Sequence, residues 1–233
     1  MSKAYYPLLA DLTHKRCLVI GGGQVAERKT ASLLEAGALP VVVSPTFTPQ
    51  LERWHRERRV DLIASPYGER HQALMGGAAL VFAATDQEAV NLRVAADAEA
   101  AGKLVNVAGR ESEGGFIVPA TVRRGKLVIA VSTSGASPGL SAHIRGELDE
   151  QFGDEYESYI EFLETLRKQI RQTVPETGRR RLLMKEALGW ELLPLIRAGK
   201  LEKVRHTIFS MIGSEPTPDK FAEVAAWLEQ QSD

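Results

Sequence analysis

The feature that most constrains this chain is a glycine-rich turn that directly follows a short apolar run near the amino terminus. Residues 17–20 read CLVI, and Gly21, Gly23 and Ala26 then follow in a G-x-G-x-x-A spacing. This order predicts a buried parallel strand that passes through a tight turn into a helix. Gly21 permits the turn, Gly23 lets the backbone approach a pyrophosphate, and Ala26 allows close helix–strand packing. The motif therefore predicts a dinucleotide site.

Strand and helix patterns alternate after this turn. Gly37 and Gly102 are placed as helix-ending glycines, Thr48 as an N-cap before a proline, and Asp86 as a further N-cap. The predicted strands are 17–20, 39–43, 60–64, 79–84 and 104–108, and the predicted helices are 26–35, 48–58 and 86–101. Such alternation predicts a Rossmann-like α/β domain with a parallel sheet.

The pattern changes after residue 112. Two β-rich runs, 116–122 and 126–132, are joined by a glycine-containing turn and predict an antiparallel hairpin. Such a pair cannot bury both of its faces alone, so we expect it to pack on the first domain or on a partner subunit. Helices are predicted at 138–151, 156–172, 179–196, 201–212 and 219–230. The expected domains are a cofactor-binding domain (1–112), a dimerisation region (113–150) and a helical domain (151–233).

Composition excludes several classes of protein. The formal net charge of −1 argues against a nucleic-acid-binding surface, and the single cysteine, Cys17, excludes an internal disulfide framework. No apolar run reaches membrane-spanning length, and the first residues lack the apolar core of a signal peptide. The five histidines show no metal-ligand spacing, so no metal site is predicted. We expect a cytoplasmic protein that binds neither nucleic acid nor membrane.

The second strand ends without the acidic residue that commonly holds the adenosine ribose of NAD. Ser44, Pro45 and Thr46 stand there, and no arginine for a 2′-phosphate is present either. We interpret the cofactor as NAD, with NADP as the alternative. Thr85 and Asp86 end the fourth predicted strand, at the sheet edge where open α/β folds bind ligands, and are predicted to contact the cofactor.

Several motifs together carry a family resemblance. GGGQVAERK at 21–29, AATD at 83–86, the Asn106-Val107 pair, FIVPA at 116–120 and VSTSGASP at 131–138 occur in this order. The chain resembles the precorrin-2 dehydrogenases, which include the N-terminal module of siroheme synthase and stand-alone relatives. The likeness covers about residues 5 to 150, and its hairpin and serine-rich motifs are not general features of dinucleotide-binding domains.

The resemblance implies an activity, a cofactor and an assembly. Family members use NAD⁺ to oxidise precorrin-2, a reduced tetrapyrrole with eight carboxylates, to sirohydrochlorin on the way to sirohaem. They are homodimers, and some also act as ferrochelatases that insert Fe²⁺ into sirohydrochlorin. By position, Gln24 and Val25 would meet the pyrophosphate, and Pro45 and Thr46 the adenosine end. The substrate cleft is expected between the Rossmann domain and the parts that follow it.

One position departs from the family pattern. The family places an aspartate, implicated as the base, three residues after the asparagine of the Asn-Val pair, but here Gly109 stands there. Loss of a hydride from carbon requires that a proton also leaves, to a base or to water. Glu111 and Glu113 lie on the same loop and are the predicted substitutes, although both also fit a solvated polar turn.

Substrate-binding residues are predicted around the serine-rich motif and the fifth strand. The candidates, whose polar side chains would line the tetrapyrrole cleft, are Asn106, Ser132, Thr133, Ser134 and Arg145. The hydroxyl groups equally fit turn and helix-capping roles. Arg123, Arg124 and Arg145 present forked donors suited to carboxylates, and solvated surface charge is the alternative.

The leading hypothesis is therefore a dimeric, NAD-dependent precorrin-2 dehydrogenase. Two other classes of protein remain open. A nucleotide-sensing domain would use the same fingerprint, normally with an acidic residue where Ser44 stands. A degenerate family member would bind NAD or tetrapyrrole without turnover, and Gly109 motivates that alternative.

Overall fold

A computed structural model describes residues 4–110 and 113–231, and its chain forms two compact units. Unit 1 comprises Met1–Val118 with Ser134–Ser137, and unit 2 comprises Pro119–Thr133 with Pro138–Asp233. The three-domain division predicted from the sequence, with boundaries at residues 112 and 150, stays a prediction.

Unit 1 is an α/β unit built on one parallel sheet. Its strands are β1 (Arg16–Ile20), β2 (Leu39–Ser44), β3 (Asp61–Ala64), β4 (Leu80–Ala83) and β5 (Val105–Val107), in the order β3-β2-β1-β4-β5. Its helices are α1 (Gln24–Glu35), α2 (Pro49–Arg56), α3 (Gln72–Gly76) and α4 (Glu88–Ala100), with a 3-10 turn at Glu69–His71. The predicted Rossmann-like parallel fold is confirmed.

The central strand β1 is buried on both faces, as an apolar run in a parallel sheet requires. Leu18 and Ile20 pack into the hydrophobic cluster on one face, and Cys17 and Val19 pack into the cluster on the other. All four side chains are at most 1% exposed. Because β1 runs parallel to β2 and β4, the turn that follows Ile20 lies at the carboxyl edge of the sheet.

Unit 2 consists of a hairpin and six helices among the described residues. Its elements are β6 (Ala120–Arg124), β7 (Leu127–Val131), α5 (Pro138–Gln151), α6 (Glu155–Thr173), α7 (Thr177–Ala187), α8 (Leu192–Arg197), α9 (Leu201–Ile212) and α10 (Pro218–Glu229). The last five helices enclose one core in which Leu166, Leu183 and Ile208 are fully buried. None of the helices in residues 4–110 and 113–231 has the length and apolarity needed to span a membrane.

The expected hairpin strand from residue 116 is wrong at its start. β6 begins at Ala120, because the N–H groups of Gly115 and Phe116 instead donate to the Val105 carbonyl at 2.7 and 3.4 Å. Residues 115–116 are thus held beside the first residue of β5. The turn itself is Gly125-Lys126, since Arg124 and Leu127 are paired in the ladder.

The expected single helix at 179–196 is also wrong, because two helices occupy this stretch. α7 ends at Ala187, and α8 begins at Leu192 after an N-cap at Glu191. Pro194 lies in the first turn of α8, where its missing N–H costs no intrahelical hydrogen bond. In one continuous helix the same proline would remove such a bond.

The helix after β4 is not capped as predicted. Its N-cap is Gln87 rather than Asp86, and the cap side chain makes no hydrogen bond. The loop is held instead by the amide of Asn91, one turn into the helix. The short helical segments at Glu69–His71 and Gln72–Gly76 were not predicted, because they carry too few apolar positions for a helical period.

Candidate functional site

Three loops meet at the carboxyl edge of the sheet in unit 1. They follow β1, β2 and β4, and the strand order reverses between β1 and β4. In open α/β sheets such a reversal leaves a crevice where ligands bind. The cofactor residues predicted from the sequence lie on these three loops, at the end of β2 or at the start of α1.

The turn after β1 is shaped by close backbone approaches. Gly21 has φ +125°, and a Cβ on it would lie 2.3 Å from the carbonyl oxygen of Ala84. A Cβ on Gly22 would lie 1.9 Å from the carbonyl oxygen of Thr46 and 2.7 Å from Oγ of Ser44. Both glycines are therefore required by the contacts between loops. The sequence reasoning assigned a role to Gly21 but missed Gly22.

The start of α1 provides the anion-binding element. Gly23 is the N-cap, with φ −86°, and among the described residues a Cβ on it would meet no atom within 4 Å beyond the adjoining backbone. The N–H groups of Gln24 and Val25 belong to the first helical turn, where no intrahelical acceptor exists. Ala26 is fully buried against the sheet. A phosphate group can therefore approach the backbone at Gly23 and meet the positive end of the helix.

The loop after β2 lies directly beside this turn. Gly21 donates its N–H to the Val43 carbonyl at 2.9 Å, and Thr48 donates to the Gly22 carbonyl at 3.0 Å. Ser44 is buried, whereas Pro45 and Thr46 are exposed to solvent. The exposed pair is thus available to an adenosine group, and no charged side chain stands among residues 44–48 to select for or against a 2′-phosphate.

The loop after β4 is fixed by one buried amide. Oδ1 of Asn91 accepts hydrogen bonds from the N–H and the hydroxyl of Thr85, at 3.0 and 2.7 Å. Nδ2 of Asn91 donates to the Thr85 carbonyl at 3.0 Å. Asp86 is exposed beside them. The sequence reasoning missed Asn91, whose only signal was an asparagine in the first turn of a helix beneath the loop.

The loop after β5 carries the departure from the family pattern. Gly109 has φ +75°, and among the described residues a Cβ on it would meet no atom within 4 Å beyond its chain neighbours. Asn106, 6% exposed, donates from Nδ2 to the Phe116 carbonyl at 3.1 Å and so joins the two ends of this loop. Glu113 is exposed and donates its N–H to the Arg110 carbonyl at 3.1 Å. Glu111 lies outside the described residues.

The remaining predicted substrate residues are divided between the units. Ser134 belongs to unit 1, with φ +53°, and Ser132 and Thr133 belong to unit 2. The hydroxyls of Thr133 and Ser141 are hydrogen-bonded at 3.2 Å. Arg145 is half exposed and lies 3.5 Å from a carboxylate oxygen of Asp149. These positions stay predictions for substrate binding.

Arg124 is engaged within unit 2. Its guanidinium donates to a carboxylate oxygen of Asp149 at 2.9 Å and to the backbone carbonyl of the same residue at 3.1 Å. Asp154 lies 3.2 Å away. The side chain is only 17% exposed, so these contacts tie the hairpin to α5 and leave little of the fork for a substrate.

Cys17 and Tyr67 in unit 1 have raised pKa values. Burial raises the pKa of the Cys17 thiol, which makes it a core side chain rather than a nucleophile. Burial and a hydrogen bond to Asp97 at 2.8 Å raise the pKa of Tyr67. No group of three potential metal-ligating side chains occurs within residues 4–110 and 113–231.

Comparisons with known proteins assign these features to a family. The model described as "Putative NAD(P)-binding" matches residues 8–120, and the model described as "Sirohaem biosynthesis protein central" matches residues 124–151. The chain belongs to the siroheme synthase and precorrin-2 dehydrogenase family. The resemblance inferred from the sequence motifs is thereby confirmed.

Individual relatives agree with this assignment. Siroheme synthase from Edwardsiella ictaluri is 38% identical over 76% of this chain and 38% of its own length. Siroheme synthase 2 from Cronobacter sakazakii is 32% identical over 93% of this chain and 47% of its own. The chain thus spans less than half the length of these relatives. The solved structure of SirC, precorrin-2 dehydrogenase, matches 97% of this chain and all of its own, with 26% identity and a TM-score of 0.69.

The residues at the sheet edge fit NAD as the cofactor. Gly23 leaves open the space that any larger residue would fill, directly at the helix terminus that favours a pyrophosphate. The flanking glycines are held in place by contacts with the other two loops. NAD, when bound, supplies the carbon that accepts the hydride. The turn at Gly23 and the first turn of α1 position its phosphates.

Gly23→Ala should separate cofactor binding from folding. The added methyl group meets no atom of the described residues beyond the adjoining backbone, so we expect the unfolding free energy to change by less than about 1 kcal/mol. It would occupy the approach to the pyrophosphate, and NAD⁺ affinity should fall by about tenfold or more. Calorimetric titration with NAD⁺ and urea unfolding measure the two quantities.

The matched control is Gly76→Ala, because that glycine also has open space around its Cβ position but lies at the end of α3. The control should bind NAD⁺ as the unmodified chain does. Unchanged NAD⁺ affinity in Gly23→Ala would show that the pyrophosphate does not approach this turn.

Proposed function

We propose that this chain catalyses the NAD-dependent dehydrogenation of precorrin-2 to sirohydrochlorin in sirohaem biosynthesis. The observation that carries the proposal is the open Gly23 turn, in a unit that belongs to a family with a precorrin-2 dehydrogenase as a solved member. The similarity to that member extends through unit 2 as well as unit 1, since it covers 97% of the chain.

The reaction removes two hydrogen atoms from the reduced tetrapyrrole. One leaves with its electron pair as a hydride to NAD⁺, and the other leaves as a proton to a base or to water. The chain must therefore hold the tetrapyrrole carbon against the cofactor and keep a proton acceptor within hydrogen-bond reach. The loop after β5 emerges at the same sheet edge as the three cofactor loops and is the segment suited to carry that acceptor.

We assign the acceptor role to Glu113, with Glu111 as the alternative on the same loop. Glu113 is exposed, and its backbone is held to Arg110 within a loop whose ends are joined by Asn106. Arg110 itself is paired with Glu88, so it does not neutralise the carboxylate of Glu113. No observation on the described residues favours ferrochelatase activity over dehydrogenation, and that activity stays a hypothesis from the family resemblance.

The proposal includes a cytoplasmic location and a homodimer. The location is supported by the single cysteine, which cannot form an intrachain disulfide. The dimer is supported by the hairpin in unit 2. Val122 is buried on one of its faces, whereas Arg123, Val128 and Ala130 share the other face and keep exposed or half-exposed surface. A second copy of the hairpin would cover that face.

Turnover tests the activity and the base together. Purified protein with anaerobically generated precorrin-2 and NAD⁺ should form NADH and sirohydrochlorin in equal amounts.

Glu113→Gln removes the proton acceptor without changing its size, so kcat should fall by about a hundredfold or more. The control Glu99→Gln removes an exposed carboxylate of α4 and should leave kcat unchanged. NAD⁺ binding without NADH formation would favour the degenerate, non-catalytic alternative.

Gly109→Asp should rescue the Glu113→Gln variant. A Cβ at Gly109 meets no atom of residues 4–110 or 113–231 beyond its chain neighbours, and aspartate tolerates the left-handed conformation better than most residues do. The new carboxylate would stand at the position where the family resemblance places the base, and kcat should rise by about tenfold or more. Gly109→Asn in the same background is the control, because its amide accepts no proton. Equal kcat values for the Gly109→Asp and Gly109→Asn variants would show that the proton acceptor does not lie on this loop.

Sedimentation tests the dimer. Sedimentation equilibrium of the unmodified protein should give a molecular mass twice that of the 25.5 kDa chain. Val128→Lys puts a second positive charge beside Arg123 on the open hairpin face, and we expect it to shift the equilibrium to single chains. Leu182→Lys, at a side chain of α7 that is 48% exposed, is the control and should remain dimeric. A single-chain mass for the unmodified protein would contradict the assignment.

A further inference from the structure

A groove between α6 and α7 in unit 2 gathers positive charge. Its volume is about 570 Å³, and five cationic side chains line it, namely Arg167, Arg171, Arg180, Arg181 and Lys185. None of the lining residues is acidic. We call this feature the basic groove. None of the residues predicted to bind the substrate or the cofactor belongs to its lining.

The five charges of the basic groove are not neutralised within the described part of the chain. No carboxylate of residues 4–110 or 113–231 lies within 4 Å of any of these five side chains, whereas Lys168 of α6 and Arg197 of α8 each pair with a glutamate. Arg180 donates its Nε–H to the Val174 carbonyl at 2.6 Å, which anchors the side chain and leaves its two terminal nitrogens available to a ligand.

The arrangement opposes helix stability in two ways. Arg167 and Arg171 are four residues apart on α6, and Arg181 and Lys185 are four apart on α7, so each pair places like charges side by side. Arg180 also lies in the first half of α7, near the positive end of the helix dipole. A bound anion would offset both unfavourable terms.

The surface between these charges is apolar. Ile170 is buried, Met184 is half-buried and Leu188 is 61% exposed. A small inorganic anion would leave Leu188 in water, and no aromatic side chain lines the groove to stack on a nucleic-acid base. The groove thus suits a ligand that joins an apolar body to several carboxylates.

We propose that the basic groove is a second binding site for a polycarboxylate tetrapyrrole, the substrate or product of the reaction. The identity of the ligand rests on the proposed function, which gives this chain a macrocycle with eight carboxylates. The ring edge lies on Met184 and Leu188, and the peripheral carboxylates pair with the guanidinium groups, which bind carboxylates through two parallel hydrogen bonds. Such a site retains the anionic tetrapyrrole on the protein outside the catalytic step.

Uroporphyrin, an air-stable porphyrin with eight carboxylates, is the probe. We compare the unmodified chain with the double variant Arg171→Glu, Arg181→Glu, whose two arginine side chains are exposed and make no hydrogen bond or ion pair with the described residues. Uroporphyrin is titrated into the protein and its fluorescence is recorded. The double variant should bind one uroporphyrin fewer per chain, or bind that uroporphyrin about tenfold more weakly. The variant Arg171→Lys, Arg181→Lys keeps both charges but loses the paired hydrogen bonds of the guanidinium groups, so it should bind that uroporphyrin more weakly than the unmodified chain and more tightly than the glutamate variant.

The matched control is Lys200→Glu, Lys203→Glu, which makes the same change in net charge at the start of α9, outside the groove. It should bind uroporphyrin as the unmodified chain does. Equal uroporphyrin binding by the groove variant, or none by the unmodified chain, would overturn the proposal. Binding to anionic lipid vesicles that depends on the same arginines, without binding of uroporphyrin, would also overturn it.

NADH formation from precorrin-2 separates this proposal from the proposed function. The groove variant should retain the unmodified kcat, because the groove takes no part in hydride transfer. Absence of NADH formation in the unmodified chain would refute the dehydrogenase assignment, whereas unchanged uroporphyrin binding in an active groove variant refutes the second site alone.

Discussion

The cofactor edge of unit 1 depends on one close approach, between the backbone of Gly22 and the carbonyl oxygen of Thr46. No side chain fits between them, since a Cβ would lie only 1.9 Å from that oxygen. The hydrogen bond from Thr48 to the Gly22 carbonyl joins the same two loops. This contact sets the direction in which the chain leaves β1. The first turn of α1 and the open space at Gly23 follow from it.

The parallel sheet of unit 1 was predictable because local and long-range preferences agree there. Each apolar run is too short for a helix and is bounded by glycine or a capping residue, and β1 is buried on both faces as its composition requires. The N-cap at Thr48 was also predicted from the sequence and is confirmed, because its hydroxyl accepts a hydrogen bond from the Leu51 N–H at 3.3 Å. In these stretches the residues themselves carry the information.

The mistaken expectations lie where a tertiary contact outweighs a local pattern. Asp86 is a good capping residue by type, but the buried amide of Asn91 fixes the loop by three hydrogen bonds and moves the helix start to Glu88. The steric role of Gly22 requires a neighbour 24 residues away in the chain, so the motif alone does not reveal it. Pro194 marked a helix start that apolar periodicity concealed.

The loop after β5 shows why the proton acceptor is harder to predict than the cofactor turn. A pyrophosphate site needs backbone groups in a fixed geometry, so it leaves glycines at fixed spacings. A base needs only a carboxylate within hydrogen-bond reach, and several positions of one loop can satisfy that. Asn106 and the Val105 carbonyl hold both ends of this loop at β5. Transfer of the carboxylate from position 109 to 113 therefore requires no change in the sheet, and a missing motif residue is compatible with a retained reaction.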